Sequence, residues 1–153
     1  MTSKKVKSGS YLSQEILSAQ QTAAIAAQFS SVVQVGEVVA FFGELGSGKT
    51  FFIKAFCQAA GTLQQATSPS FTLINEYYTA ENLFIYHFDF YRLKNMAELQ
   101  NLGLDDFFYD HNICLVEWAD KILTFLPDRR WEVYLEFLPG QPDGRKINIV
   151  KKE

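Results

Sequence analysis

The chain has 153 residues, of which 48% are hydrophobic and 20% charged, the balance of one soluble globular domain able to bury a continuous core. A formal net charge of −3 and a pI near 5.4 argue against tight, autonomous binding to nucleic acid, which usually shows a basic face, though not against working on it through a partner. No stretch approaches the ~18 uninterrupted apolar residues of a membrane span, and Cys57 and Cys114 lie inside apolar runs as reduced core residues, which points to the cytoplasm.

Residues 1–10 carry lysines at 4, 5 and 7 with no apolar signal core behind them, and read as a flexible N-terminal tail. Residues 11–153 read as a single domain, without repeat or linker. Ser18 is placed to cap a helix, with Gln21 as its capping-box partner. Thr22, Ile25, Ala26 and Phe29 then share one helical face. Residues 38–42 form a continuous apolar run, the pattern of a strand buried on both faces in a parallel sheet. A Gly-rich loop follows at once, then a helix over residues 49–60 whose apolar stripe ends before Gly61.

Residues 71–78 and 83–90 are rich in β-formers, with a four-residue turn between them. Residues 95–102 look helical, and 104–109 add another turn. A second apolar run, 113–116, ends in Glu117. Val133, Leu135 and Phe137 alternate with polar neighbours as a half-exposed strand, and 146–150 return from turn chemistry at 139–144. The expected fold is α/β: a P-loop NTPase fold with a mixed sheet, parallel near the loop, antiparallel toward its edges and flanked by helices.

Gly43-Glu44-Leu45-Gly46-Ser47-Gly48-Lys49-Thr50 matches G-x-x-x-x-G-K-[ST]. The glycines let backbone N–H groups turn inward around phosphate oxygens, and the following helix adds its N-terminal partial charge. Lys49 brings a positive charge to the β- and γ-phosphates, and Thr50 a hydroxyl to Mg²⁺. The magnesium side needs an acid at the end of a buried strand. Glu117 is the favoured candidate because the strand before it is the more apolar. Asp89 could instead position water, contact magnesium or orient Lys49, or simply pair with Arg92. Thr67, Ser68 and Thr72 lie where P-loop switches carry a hydroxyl-bearing loop. His87 reads as a satisfied structural histidine, Trp118 as a core, interface or nucleotide-side ring, and Arg145 as a candidate for reaching the nucleotide from a turn. The Asn-Lys-x-Asp element that reads guanine is absent, so ATP is the expected nucleotide.

Four blocks occur in order: Phe42 through Thr50, Ser68-Pro69-Ser70-Phe71-Thr72-Leu73, Tyr86-His87-Phe88-Asp89-Phe90-Tyr91-Arg92-Leu93 and Cys114-Leu115-Val116-Glu117-Trp118. Together they resemble the TsaE family (older name YjeE), bacterial ATPases of tRNA threonylcarbamoyladenosine biosynthesis, over roughly residues 18–150. Glu44, Ser47 and Ser70 are conservative departures from the family's usual residues. The resemblance implies a weak ATPase that binds ATP or ADP with Mg²⁺. Its implied partners are the transferase subunit TsaD and its companion TsaB, with tRNA met only through that complex. In that reading Thr50 and Glu117 hold magnesium, Lys49 neutralises phosphate charge and Asp89 assists hydrolysis. From the residues rather than the resemblance, Phe51 and Arg145 are candidates to join the loop in holding nucleotide, and the Ser18 helix start and Arg145 are candidates for bordering an adenine pocket that the sequence does not otherwise locate. Trp118, Arg92, Thr67, Ser68 and Thr72 couple nucleotide state to the partners.

Two other classes fit a P-loop. A small-metabolite kinase would need an Arg-rich lid, whereas the four arginines Arg92, Arg129, Arg130 and Arg145 form no such cluster. A non-catalytic ATP-binding module would have little use for both Asp89 and Glu117.

Overall fold

The computed structural model describes residues 9–69 and 72–153. In chain order the elements are β1 (Gly9–Ile16), α1 (Ala19–Ser30), β2 (Val38–Phe42), α2 (Lys49–Ala60), β3 (Ile74–Tyr78), β4 (Phe84–Asp89), α3 (Ala97–Gln100), α4 (Leu104–Phe108) and β5 (Ile113–Glu117). A 3-10 segment (Ala119–Phe125), β6 (Arg130–Leu138) and β7 (Gln141–Lys152) complete the chain. The strands form one seven-stranded sheet in the order β1-β7-β6-β2-β5-β4-β3. The inner four, β6-β2-β5-β4, run parallel, while β1, β7 and β3 pair antiparallel at the two sides. This is the mixed, helix-flanked α/β sheet of a P-loop fold.

The apolar run of β2 is explained by burial on both faces. Val39 and Phe41 join the core under α1 and α2, with Phe29, Phe52 and Phe56. Val38 and Ala40 join the opposite core with Phe88, Leu104, Phe108 and Ile122. Ser18 does cap α1, accepting the Gln21 amide at 3.3 Å, and the Gln21 side chain reaches back to the Leu17 amide at 2.8 Å. Gly61 stops α2 in the left-handed region at φ +86°, its N–H returning to the Cys57 carbonyl.

Several expectations are corrected. Gly9 and Ser10 open β1, an edge strand along β7, instead of closing a tail; residues 1–8 lie outside the described residues. β6 is not uniformly half-exposed, because β7 and β2 flank it and bury Trp131, Glu132 and Val133. The Glu132 carboxylate tolerates this by pairing with Arg130 at 2.9 Å and accepting the Tyr134 hydroxyl at 2.8 Å. β7 begins at Gln141, not 146, since the turn contracts around Gly140 at φ +73°. The helix expected over 95–102 shrinks to four residues, and the 3-10 segment after Trp118 was not anticipated.

Phe29 is the ring on which the α1–α2 face is assembled. It is fully buried, with ring centroids 5.1 Å from Trp131, 5.8 Å from Tyr11, 6.0 Å from Phe56 and 6.2 Å from Phe52. Phe29→Ala should therefore cost about 3–5 kcal/mol of stability, read as a lower urea midpoint at unchanged slope.

Candidate functional site

Parallel pairing collects the candidate residues at one edge. Phe41 of β2 is in register with Glu117 of β5, and Glu117 with Asp89 of β4. All three strands therefore deliver their carboxyl ends to the same side, where ligands of open α/β sheets lie. The loop from β2 to α2 turns through Gly46 at φ +80° and Gly48 at φ +107°, a backbone that side chains rarely adopt. At Gly43 the constraint is space: a Cβ there would meet the Leu135 carbonyl at 2.6 Å and Ser47 Oγ at 2.5 Å. Gly48 starts α2 with no side-chain cap, so the first helix amides are left for another acceptor.

Lys49 is buried, and its ammonium donates to the loop carbonyls of Gly43 and, at 3.1 Å, Glu44. The same ammonium lies 3.9 Å from the centroid of the Trp118 ring. Burial pushes its pKa down, against the opposing charges of Glu117, Asp89 and Asp120. The Thr50 hydroxyl donates to Glu117 Oε1 at 2.8 Å. Asp89 Oδ1 accepts the Tyr91 amide at 2.9 Å; burial raises its pKa, with Tyr91 opposing and Glu117 adding to the shift. A cleft of about 240 Å³ gathers Lys49, Thr50, Ser68, Asp89, Arg92, Glu117 and Trp118.

A second, wider cleft of about 520 Å³ begins on the other side of the loop, between Ser18 and Thr22 of the α1 start and Phe51, Asp143 and Arg145. Gly46, Ser47 and Gly48 border it, and Arg145 ties itself to the loop by donating to the Ser47 carbonyl at 2.9 Å. Glu44 and Leu45 are exposed, and Leu45 lines the smaller cleft.

The loop fits a phosphate chain on its own chemistry. The Lys49 ammonium and the Ser47 hydroxyl, the latter buried without a hydrogen-bond partner, are donors that an anion would satisfy. The residues also fit a hard cation: one hydroxyl beside one carboxylate suits Mg²⁺, which keeps waters and takes phosphate oxygens. Among the described residues no cluster of three or more His, Cys, Asp or Glu could cage a metal instead.

Thr67, Ser68 and Thr72 are distributed unequally. Ser68 borders the smaller cleft, whereas Thr72 donates to Asn75 Oδ1 at 3.1 Å and Thr67 is tied to Tyr77 and Asn75; Ser70 and Phe71 lie outside the described residues. The sequence reading missed what His87 touches. Its Nε2 lies 2.6 Å from Glu117 Oε2 and its Nδ1 3.3 Å from the Tyr77 hydroxyl, so it is a satisfied buried histidine directly behind the candidate metal-side carboxylate.

A family model described as "Threonylcarbamoyl adenosine biosynthesis protein TsaE" matches residues 16–147. The chain is 37% identical over 131 residues to the tRNA threonylcarbamoyladenosine biosynthesis protein TsaE of Bacillus subtilis, covering 86% of this chain and 80% of that one. The protein of that name from Rickettsia bellii is 38% identical over 145 residues, covering 92% and 96%. The crystal structure of Bacillus subtilis YdiB superposes with a TM-score of 0.75 at 31% identity, covering 95% of this chain and 88% of that one.

The raised pKa of Asp89 makes a stability prediction. A carboxyl whose folded pKa lies above its unfolded value penalises folding once ionised, so the penalty grows as pH rises through that interval and is full above it. Asp89→Asn keeps an oxygen for the Tyr91 amide and removes the penalty. The variant should be more stable than the wild type at pH 7, with the gap closing toward pH 3.5, as measured by urea unfolding.

Proposed function

This chain belongs to the TsaE family, and we propose that it is a slow ATPase that drives threonylcarbamoyladenosine formation on tRNA through the TsaB–TsaD transferase. One observation carries the proposal: Thr50 and Glu117 meet at 2.8 Å beside a buried Lys49, at the mouth of a Gly-rich loop. That is a place where phosphate charge and a magnesium ion can be handled together.

On this reading the larger cleft takes the nucleoside, with Arg145 and the α1 start at its rim and Phe51 along its wall. The loop amides from Gly43 to Thr50 and the start of α2 hold the phosphates. Magnesium, when bound, neutralises β- and γ-oxygens. Thr50 and Glu117 supply its protein-side oxygens, and Lys49 leaves the Gly43 and Glu44 carbonyls to meet the phosphates. Asp89 is the acid placed to orient water, and its raised pKa suits a group that accepts a proton. Hydrolysis joins the water oxygen to the γ-phosphorus, breaks the bond to the bridging oxygen, and leaves ADP and phosphate carrying the water's protons.

Ser68, Arg92 and Trp118 line the phosphate-side cleft and are the residues through which a docked partner would sense the nucleotide. Thr67 and Thr72 belong to the same segment. Relatives with this domain are named for tRNA modification, while this chain carries a net charge of −3, so contact with tRNA falls to the partners.

Steady-state hydrolysis by the purified chain, alone and with TsaB and TsaD, tests the proposal. Slow turnover that rises clearly with the pair is expected; turnover indifferent to the pair would remove the coupling and leave the phosphate site standing. Glu117→Ala should abolish hydrolysis, and normal turnover in that variant would shift the metal role to Asp89. Lys49→Ala should weaken nucleotide binding and lower turnover by about a hundredfold.

A further inference from the structure

Behind Glu117 a row of side chains crosses the sheet away from the cleft. Register sets it: Asn75 of β3 pairs with His87 of β4, His87 with Leu115 of β5, and Tyr77 with Ile85. Because side chains alternate along each strand, Glu117, His87, Asn75 and Tyr77 share the face that carries α2. His87 is fully buried, and Tyr77 and Glu117 are only 3% and 2% exposed, so water cannot stand in for any of their partners.

The hydrogen bonds run in one chain. Thr50 Oγ1 and His87 Nε2 engage opposite oxygens of Glu117, at 2.8 and 2.6 Å. A carboxylate only accepts, so Nε2 carries a ring hydrogen, and in that tautomer of the imidazole Nδ1 accepts a hydrogen bond from the Tyr77 hydroxyl at 3.3 Å. That hydroxyl oxygen accepts the Thr67 amide at 3.0 Å. It also lies 3.0 Å from the Thr67 carbonyl, which Asn75 Nδ2 reaches at 3.1 Å. The single Tyr77 proton therefore has two acceptors, the histidine and the Thr67 carbonyl. A group with two alternative acceptors has the form of the two-state element that coupling between distant sites requires.

We infer that His87 and Tyr77 are positioning residues that couple the Thr50–Glu117 metal side to the backbone of Thr67. The inference rests on the nucleotide site proposed above. When Thr50 turns from Glu117 to the cation, the carboxylate reorients and His87 follows. The Tyr77 hydroxyl then gives up its contact with Nδ1 and donates to the Thr67 carbonyl alone, so that its hold on the N–H and C=O of Thr67 tightens. Thr67 is exposed while Tyr77 and His87 are not, so the state of a buried site is delivered to a surface segment beside Ser68.

Residue-resolved amide hydrogen exchange tests this, with Mg²⁺ and a non-hydrolysable ATP analogue as the probe. In the wild type, exchange at the Thr67 amide should slow by about fivefold or more on adding the probe. His87→Gln leaves the Thr67–Tyr77 bond in place but cannot reach Glu117 and Tyr77 together, and should cut that response to less than about twofold. Tyr77→Phe keeps the ring, should bind the analogue with near wild-type affinity, and should lose the response as well; it carries the test if His87→Gln does not fold. A wild-type response in either variant overturns the inference. So does a wild type that binds the analogue with no change at Thr67, which leaves the nucleotide site intact. A wild type that fails to bind the analogue overturns the inference together with the proposed function.

Discussion

Parallel pairing of β5 between β2 and β4 is the constraint on which the rest of the molecule depends. It places Phe41, Glu117 and Asp89 in one row at the carboxyl edge. The loop that follows β2 must then turn directly above that row. Shifting β5 by one residue would send Glu117 to the opposite core, among Phe88 and Leu104, since side-chain direction alternates along a strand. The apolar neighbours Leu115 and Val116, each locked in its own core, make that slip expensive. Core packing thus fixes the position of a carboxylate that contributes nothing to the packing itself.

Such a row is costly to hold. Lys49, Asp89 and Glu117 are all at least nine-tenths buried, and each loses hydration. The loss is offset locally: Lys49 by loop carbonyls and an aromatic face, Glu117 by Thr50 and His87, Asp89 by the Tyr91 amide. The offset is incomplete, as the lowered pKa of Lys49 and the raised pKa of Asp89 both record. The stability to carry this deficit comes from elsewhere, chiefly the rings around Phe29 on one face and Phe88 on the other. A chain rich in phenylalanine is therefore suited to a site that weakens its own fold.

The parts of this arrangement that were legible in the sequence are those whose signal is local. The phosphate loop, the strand before it, the helix after it and the acid at the end of residues 113–116 each announce themselves within a dozen residues. β1 was not legible because it is an edge strand whose Ser10, Ser13, Gln14 and Glu15 face solvent, leaving no apolar alternation to read. The early part of β6 misled for the opposite reason: Glu132 looks like a solvent-facing residue, and its burial depends on Arg130 and Tyr134 being brought beside it. The His87 contact is the deepest case. It depends on the mutual register of β3, β4 and β5, and nothing near residue 87 encodes which carboxylate lies across the sheet.

Trp118 shows how a strained residue can belong to the same design. Its φ of +57° is left-handed, a conformation that costs a non-glycine residue roughly 1–2 kcal/mol. The turn carries the chain from Glu117 straight into the 3-10 segment and lays the indole against Lys49, whose ammonium is 3.9 Å from the ring centroid, with the Tyr91 ring packed on the indole at a centroid distance of 5.0 Å. A desolvated cation–π contact is worth about 2 kcal/mol, comparable to the strain, so the indole holds Lys49 without a large net gain. The phosphates of a nucleotide carry far more charge than a ring quadrupole and would draw the ammonium away. Trp118 would then be left with its backbone strain and without the cation that offset it. Under the proposed function, that imbalance would make the residue next to Glu117 the readiest part of the cleft to move on nucleotide binding.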